Sequence, residues 1–384
     1  MKVKVKGWVG RERERDSNHS LKCIELHSEL QRRQFSFLDD ATANYAGSYR
    51  TDVNLLDCLC RQRWDQMQNE FDGRNIPYCL CRLFDQMRTS KTGKVSAESF
   101  LHCLRLNHVK AYAQNDAAEL FLTIFNLLLD QLQTPHIVEE MKRLFEIKVE
   151  QFVKCQCDEV TVRDNKFWSL PVPVKETQDG EDFTLEDGLE MFFSSQPVRR
   201  NNRCSNHVCK MKSPALQDGA EVIGKVRRRK EDRMWVGFKL ISVPEILNLH
   251  LNRFRAPSNR GGFMRKIYSL VTFPETLNLN QFPISERSQK YRNPQESWQY
   301  QLYAVLVHIG SASFGHYIVC VKSFKDSMWY GLNDSNVFRV NWADITQTFG
   351  GPHSKSRETA YMLLYRRVKT EDTIPPSGAQ ADGL

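Results

Sequence analysis

Two periodicities divide the chain. Between residue 75 and about residue 150, apolar positions recur every three or four residues. Ala117, Leu120, Phe121, Ile124 and Leu128 fall on one face at helical spacing, which predicts a core-facing helix. Asp116 stands where that helix should begin, with Glu119 three positions on, the pattern of an acidic cap. Ser96 precedes a second helical run, Ala97-Glu98-Ser99-Phe100-Leu101, as an N-cap, and Ser99 in place of Glu makes it half a capping box. From Phe145 onward the period shortens to two. Tyr317-Ile318-Val319-Cys320-Val321 alternates as a strand, and Trp329-Tyr330-Gly331-Leu332 reads as its hairpin partner. Further strands are expected at residues 245–251, 268–273, 299–308 and 361–365. Residues 167–174 carry Pro171 and Pro173, which cannot donate to a ladder, so that strand belongs at a sheet edge. Residues 184–193 make a short helix capped by Thr184 and Asp187. Helices followed by strands indicate an α+β architecture.

Composition narrows the class. With 41% hydrophobic and 26% charged residues the chain has the balance of an ordinary globular protein. No apolar run approaches the roughly 20 residues of a membrane span. Met1-Lys2-Val3-Lys4-Val5-Lys6 lacks the apolar stretch of a secretory signal. A cytoplasmic location is expected, with the nucleus as a second compartment and no membrane insertion. The net charge of +8 is scattered. Its densest run, Arg227-Arg228-Arg229-Lys230, is closed off by Glu231-Asp232 and reads as a solvated loop, not a nucleic-acid surface. The alternating charges of residues 11–16 have no apolar face, so residues 1–70 are expected to be partly disordered. The tail beyond Lys369, with Pro375-Pro376-Ser377-Gly378, reads as a disordered terminus.

Eleven cysteines without a secretory signal point to free thiols, catalysis or metal in place of a disulfide framework. Cys79, Cys81, Cys103 and Cys320 lie in apolar runs and read as packing. The sharpest chemical signal is Ser313-Phe314-Gly315-His316-Tyr317, followed downstream by Asn333-Asp334-Ser335. Gly315 has no Cβ, so backbone and imidazole can approach closely. A hairpin would set Asn333 or Asp334 beside the His316 ring, orienting it as a general base. That is two-thirds of a Cys-His-Asn hydrolase site.

Several separated motifs resemble the ubiquitin-specific protease family. Gln114-Asn115-Asp116-Ala117-Ala118-Glu119-Leu120 is similar to its Q-Q-D-A-x-E-F box. Residues 243–254, Val-Pro-Glu-Ile-Leu-Asn-Leu-His-Leu-Asn-Arg-Phe, resemble its L-P-x-x-L-x-I-H-L-x-R-F strand, with Asn248 a polar departure. Residues 300–308, the Gly315-His316-Tyr317 box, Asn333-Asp334-Ser335 and residues 360–365 complete the series in family order. The resemblance implies a papain-like ubiquitin-specific protease fold of class α+β, with a helical thumb (71–150), β fingers (151–240) and a β palm (241–369). Outside these lie an unmatched segment at 1–70, an unmatched insert at 218–237 and a tail at 370–384. It implies a thiol-dependent isopeptidase that removes ubiquitin or a ubiquitin-like modifier from lysines. The Ala118 variant of the box favours the interferon-response branch, which acts on a two-domain modifier.

Carried over residue by residue, the resemblance places His316, Asn333 and Asp334 in catalysis. Gln114, Asp116, Ala118, Leu122 and His250 are placed in modifier binding. Asp116 would hold an arginine of the modifier's tail, and Ala118, Leu122 and His250 would form an apolar docking surface. Catalysis needs no cofactor. A structural zinc could be held by Cys155, Cys157, Cys204, His207 and Cys209, but their spacing departs from two Cys-x-x-Cys pairs, and a ribbon that folds without metal is the other reading. The family's G-L-x-N-x-G-x-T-C-x-x-N-S-x-L-Q box, which supplies the nucleophile, is not found. Cys23, Cys58 and Cys60 lack its context, and Asp57 would raise the thiol pKa of Cys58. A catalytically dead module that binds the modifier or docks to a receptor is therefore the alternative function.

Overall fold

The long apolar runs of the second half of the chain form the centre of one sheet, where the strands are buried on both faces. The computed structural model describes residues 73–89, 95–109, 116–154, 160–177, 182–198, 234–256, 263–291, 297–323, 326–333, 336–351 and 357–368. The expectations of disorder at 1–70 and after 369, the insert at 218–237 (apart from its last residues) and the basic loop at 227–230 lie outside those residues.

Four helices come first: α1 (Ile76–Thr89), α2 (Glu98–Leu106), α3 (Ala117–Gln131) and α4 (Pro135–Phe145). Asp116 caps α3, its Oδ1 accepting from the backbone N–H of Ala118 at 2.9 Å and of Glu119 at 3.1 Å. Helix α2 starts two residues after Ser96, whose hydroxyl accepts from Glu98 N at 3.3 Å. Phe100, Leu104, Leu120, Ile124, Leu128, Met141 and Leu144 fill the space between the helices.

A four-stranded sheet follows, built from β1 (Ile147–Lys154), β2 (Val160–Phe167), β4 (Gln196–Val198) and β5 (Met234–Ser242) in the order β2-β1-β5-β4. Helix α5 (Leu185–Phe193) precedes β4 and carries a full capping box between Thr184 and Asp187.

The large sheet has the order β13-β12-β11-β10-β14-β6-β3, with β9 pairing to β10. Its strands are β3 (Leu170–Pro173), β6 (Ile246–Asn252), β9 (Thr276–Asn278), β10 (Gln299–Gly310), β11 (Gly315–Lys322), β12 (Trp329–Asn333), β13 (Asn336–Val340) and β14 (Glu358–Arg367). The proline-bearing β3 forms one edge, parallel to β6. Successive side chains of a strand point to opposite faces. Leu306, Val319, Met362 and Leu364 therefore pack on the helices, while Val305, Val307, Cys320 and Leu363 enter a second core with α5 and the loops beneath. Burial on both faces is why these strands read as continuous apolar runs.

Residues 268–273, expected as a strand, are an irregular segment with a single bridge from Thr272 to Thr184. Arg253 is one reason. This side chain is fully buried and donates to the carbonyls of Ile267 (3.1 Å), Ser269 (2.8 Å), Phe349 (3.0 Å) and Ala360 (2.8 Å). A buried guanidinium demands carbonyl partners, and an irregular backbone can turn several toward one point. The segment follows a small hairpin of β7 (Phe254–Arg255) and β8 (Arg265–Lys266). Two short helices, α6 (Glu286–Tyr291) and α7 (Trp342–Thr346), and two single 3-10 turns (Leu279–Gln281 and Gln347–Phe349) complete the described elements.

Candidate active site

The site sits where β10, β11 and β12 end together. Strands β10 and β11 form a hairpin whose register pairs Gly310 with Gly315, Ile309 with His316 and His308 with Tyr317. Strand β12 pairs Leu332 with Val319. One step further along that ladder Asn333 stands opposite Ile318, on the same face as His316, so its side chain reaches His316 diagonally. The contact is made: His316 Nε2 and Asn333 Oδ1 are 2.7 Å apart. An amide oxygen only accepts, so Nε2 carries the proton and Nδ1 offers the lone pair that can take one. Asn333 thereby orients the ring as a general base requires. Asp334 lies outside the described residues.

Gly315 matters for a reason other than the expected one. The imidazole pressed against it is that of His308, across the hairpin, not that of His316. A Cβ on Gly315 would stand 2.1 Å from His308 Nε2 and 2.6 Å from the Ile309 carbonyl oxygen. His308 is 4% exposed, and burial together with the charges of Lys266 and His316 pushes its pKa down to about 3. It is a neutral wedge that packs on Tyr317, with ring centroids 4.8 Å apart.

From His308 and Tyr317 an aromatic path runs to the start of α3. Tyr361 lies 5.7 Å from Tyr317 and its hydroxyl donates to Asp116 Oδ2. His250 meets Tyr361 edge-on at 4.7 Å. Burial lowers the His250 pKa, and the Asp116 carboxylate opposes that shift. Asp116 thus serves three donors of the fold itself, two backbone N–H groups and one phenol. A carboxylate has about four acceptor positions, and among the described residues no donor occupies the fourth.

The remaining predicted residues divide. Leu122 is half-buried on α3, as is His250 on β6. Ala118 is 3% exposed and part of the helical core, so it does not contribute open surface. Gln114, Cys155, Cys157, Cys204, His207 and Cys209 lie outside the described residues. Among the described residues no group of three or more His, Cys, Asp or Glu could hold a metal ion.

The described cysteines do not look like nucleophiles. Burial pushes Cys320 up to about 12, which keeps it a thiol at neutral pH. Cys81 and Cys103 are buried in the helical core. Cys79 is half-buried, and a hydrogen bond with Cys103 draws its pKa down while burial opposes. Cys23, Cys58 and Cys60 lie outside the described residues.

Sequence reading missed His308, Lys266 and Tyr361. His308 and Tyr361 sit inside apolar strands, where a polar atom in the run was the available signal. Lys266 resembled any surface lysine.

Comparison with known proteins bears on this arrangement. The family model described as ubiquitin carboxyl-terminal hydrolase matches residues 29–365. It thus begins inside the segment for which no family box was found. Ubl carboxyl-terminal hydrolase 18 of Homo sapiens is 31% identical over 297 residues, covering 77% of this chain and 74% of that protein. Its Mus musculus counterpart is 31% identical over 296 residues with the same coverage. Ubiquitin carboxyl-terminal hydrolase 47 of Drosophila melanogaster is 26% identical over 375 residues, covering 80% of this chain but 23% of that protein.

Proposed function

The chain belongs to the ubiquitin carboxyl-terminal hydrolase family, and on that premise we propose that His316 and Asn333 are the base and its orienting partner in a modifier-removing reaction. The protein is a cysteine-type hydrolase of ubiquitin-like conjugates. The observation that carries the residue assignment is the 2.7 Å contact between His316 Nε2 and Asn333 Oδ1 at the open end of the sheet.

The chemistry follows from that geometry. A cysteine thiol gives its proton to Nδ1 of His316, and the thiolate adds to the carbonyl carbon at the modifier's C-terminus. The imidazolium returns the proton to the leaving lysine amine as the C–N bond breaks. Water then attacks the thioester with His316 again as base, which frees the modifier and restores the thiol. Asn333 holds the ring through both halves. The thiol chemistry of this family needs no cofactor; a structural zinc through Cys155, Cys157, Cys204, His207 and Cys209 is a separate proposal.

The finer substrate is a two-domain ubiquitin-like modifier. Support comes from the two relatives named as Ubl hydrolases and from the acid at the head of α3. Asp116 would pair with an arginine of the extended tail, beside Gln114, while Leu122 and His250 meet the modifier's body. A cytoplasmic location with access to the nucleus fits such a substrate.

The test is reaction with a modifier bearing an electrophilic C-terminus. Covalent capture that thiol alkylation blocks is the expected result, and Cys58 and Cys60 are the first cysteines to replace. Saturable binding without capture would instead make the chain a docking module.

A further inference from the structure

Lys266, on β8, is 5% exposed. Its ammonium donates to three carbonyl oxygens, those of His308 at 2.9 Å, Gly310 at 3.1 Å and Arg357 at 3.1 Å. Below about pH 7 the group is an ammonium with three hydrogens, one for each acceptor, and above that the neutral amine keeps two. Two of these acceptors flank Ile309, and Ile309 is the residue paired with His316 across the hairpin.

Ladder geometry explains why a cation is wanted there. The turn closes with Ser311 N donating to Phe314 O at 2.8 Å. Counting by two from that bond makes Ile309 and His316 a hydrogen-bonded pair and turns the carbonyls of His308 and Gly310 the other way, toward β14. Pairing of β10 with β14 ends at Ile309 and Glu358. His308 lies inside that register, opposite Thr359, whereas Gly310 lies just past its end, so Lys266 adds a second donor at the last rungs of the ladder and supplies one at Gly310 beyond them. Tyr268 assists, its hydroxyl donating to the Gly310 carbonyl at 3.0 Å while its ring lies 5.0 Å from the ammonium.

We propose that Lys266 is a positioning residue for the hydrolase reaction, clamping the root of the 310–315 turn and so fixing the angle at which His316 meets Asn333 and the substrate. This rests on His316 acting as the base. An ordinary turn does not need a buried ammonium, whose desolvation is unfavourable unless every hydrogen finds an acceptor. A catalytic imidazole does need a rigid root, because a displacement of about 1 Å lowers rates roughly 10²-fold. The other charged or titratable groups facing Lys266 are Arg253, His308 and Glu358.

The experiment compares the full chain with its Lys266→Met and Lys266→Arg variants. Turnover is read on a ubiquitin-like modifier carrying a fluorogenic C-terminal amide, and amide hydrogen exchange is read across residues 309–316. Lys266→Met is expected to lower kcat about 10- to 100-fold, to leave KM within about twofold, and to speed exchange at the hairpin. Lys266→Arg is expected to restore most of kcat, since a guanidinium offers donors to the same carbonyls. Unchanged exchange in Lys266→Met overturns the clamp. Faster exchange with unchanged kcat overturns the positioning role. If Lys266→Met does not fold, Lys266→Arg decides, and a loss of kcat at wild-type melting temperature overturns the proposal. A His316→Ala control separates the two readings. Turnover that survives it removes His316 as the base, whereas the exchange data still decide whether Lys266 holds the turn.

Discussion

His308 and Gly315 face each other across the active-site hairpin so closely that a single methyl group at Gly315 would lie 2.1 Å from His308 Nε2. The same methyl would crowd the Ile309 carbonyl oxygen at 2.6 Å, and that oxygen belongs to backbone with little room to retreat. Gly315→Ala should therefore shift the strand that carries His316. The expected outcome is a loss of kcat of about 10-fold or more with a lowered melting temperature. Pairing it with His308→Ala should recover part of the melting temperature but not all, because the Ile309 contact remains. A double-mutant cycle on thermal denaturation checks this, and strict additivity would show that the two residues do not press on each other.

Removing the base and removing its partner should differ. His316→Ala is expected to lower kcat about 10³-fold or more. Asn333→Ala leaves the imidazole in place without its anchor and should cost about 10- to 100-fold. Steady-state turnover of the fluorogenic modifier amide gives both values. Equal losses would mean that Asn333 does more than orient the ring.

At Asp116, charge and capping can be separated. Asp116→Asn keeps an oxygen able to cap α3 but puts an NH2 group where Oδ2 accepts from the Tyr361 hydroxyl, so the melting temperature should fall less than in Asp116→Ala. The charge that would attract a tail arginine is gone, and affinity for the modifier should fall about 10-fold. Asp116→Ala removes the cap as well and should cost about 1 kcal/mol of stability. Isothermal titration and thermal denaturation of both variants decide it; wild-type affinity in Asp116→Asn would remove the residue from the binding site. Ala118→Arg does not test docking, because Ala118 is core and the substitution would disrupt the fold.

Asn248 is 1% exposed on β6, opposite Leu364, and its Oδ1 has no hydrogen-bond partner among the described residues. An unpaired buried amide oxygen costs about 1–3 kcal/mol. Asn248→Val should raise the denaturant midpoint with no change in kcat, and a lowered midpoint would reveal a partner for the amide.

Lys266 should also leave a mark on the pH dependence of stability. Burial first, and then the Arg253 charge, lower its pKa from 10.5 to about 7, with Glu358 opposing. Between those values the unfolded chain binds the proton and the folded chain does not. The destabilisation is therefore full below about pH 7 and is relieved as pH rises toward 10.5, with a slope of at most about 1.4 kcal/mol per unit. Urea midpoints at about pH 7 and about pH 9 should rise in the wild type more than in Lys266→Met. Equal changes would show that this amine titrates in the fold as it does in the unfolded chain.

What the sequence settled was local or periodic. The acidic start of α3, the capping box of α5, the edge position of β3 and the β11–β12 hairpin each depend on residues within a few positions of one another, through caps, prolines and alternation. The approach of His316 to residues 333–334 was legible because a hairpin of two adjacent strands brings them together, but spacing alone does not choose between Asn333 and Asp334, and the 2.7 Å contact in the structure gives Asn333. The strand expected at 268–273 failed because its apolar alternation was genuine while its backbone groups bond to scattered distant partners, Gly351, Phe349, Phe183, Leu185 and the Arg253 side chain, which no periodicity reports. The roles of His308, Lys266 and Tyr361 were likewise invisible. Each depends on which backbone atoms a distant segment presents, and burial in a shared core, not sequence spacing, sets those distances. The sequence determined which side chains could do acid–base chemistry and on which face of which strand they stand. Only the tertiary structure decided which buried cation caps the end of the ladder, which histidine touches the glycine, and which aromatic ring ties the hairpin to the head of α3, because those are contacts between surfaces that meet only after the chain has folded.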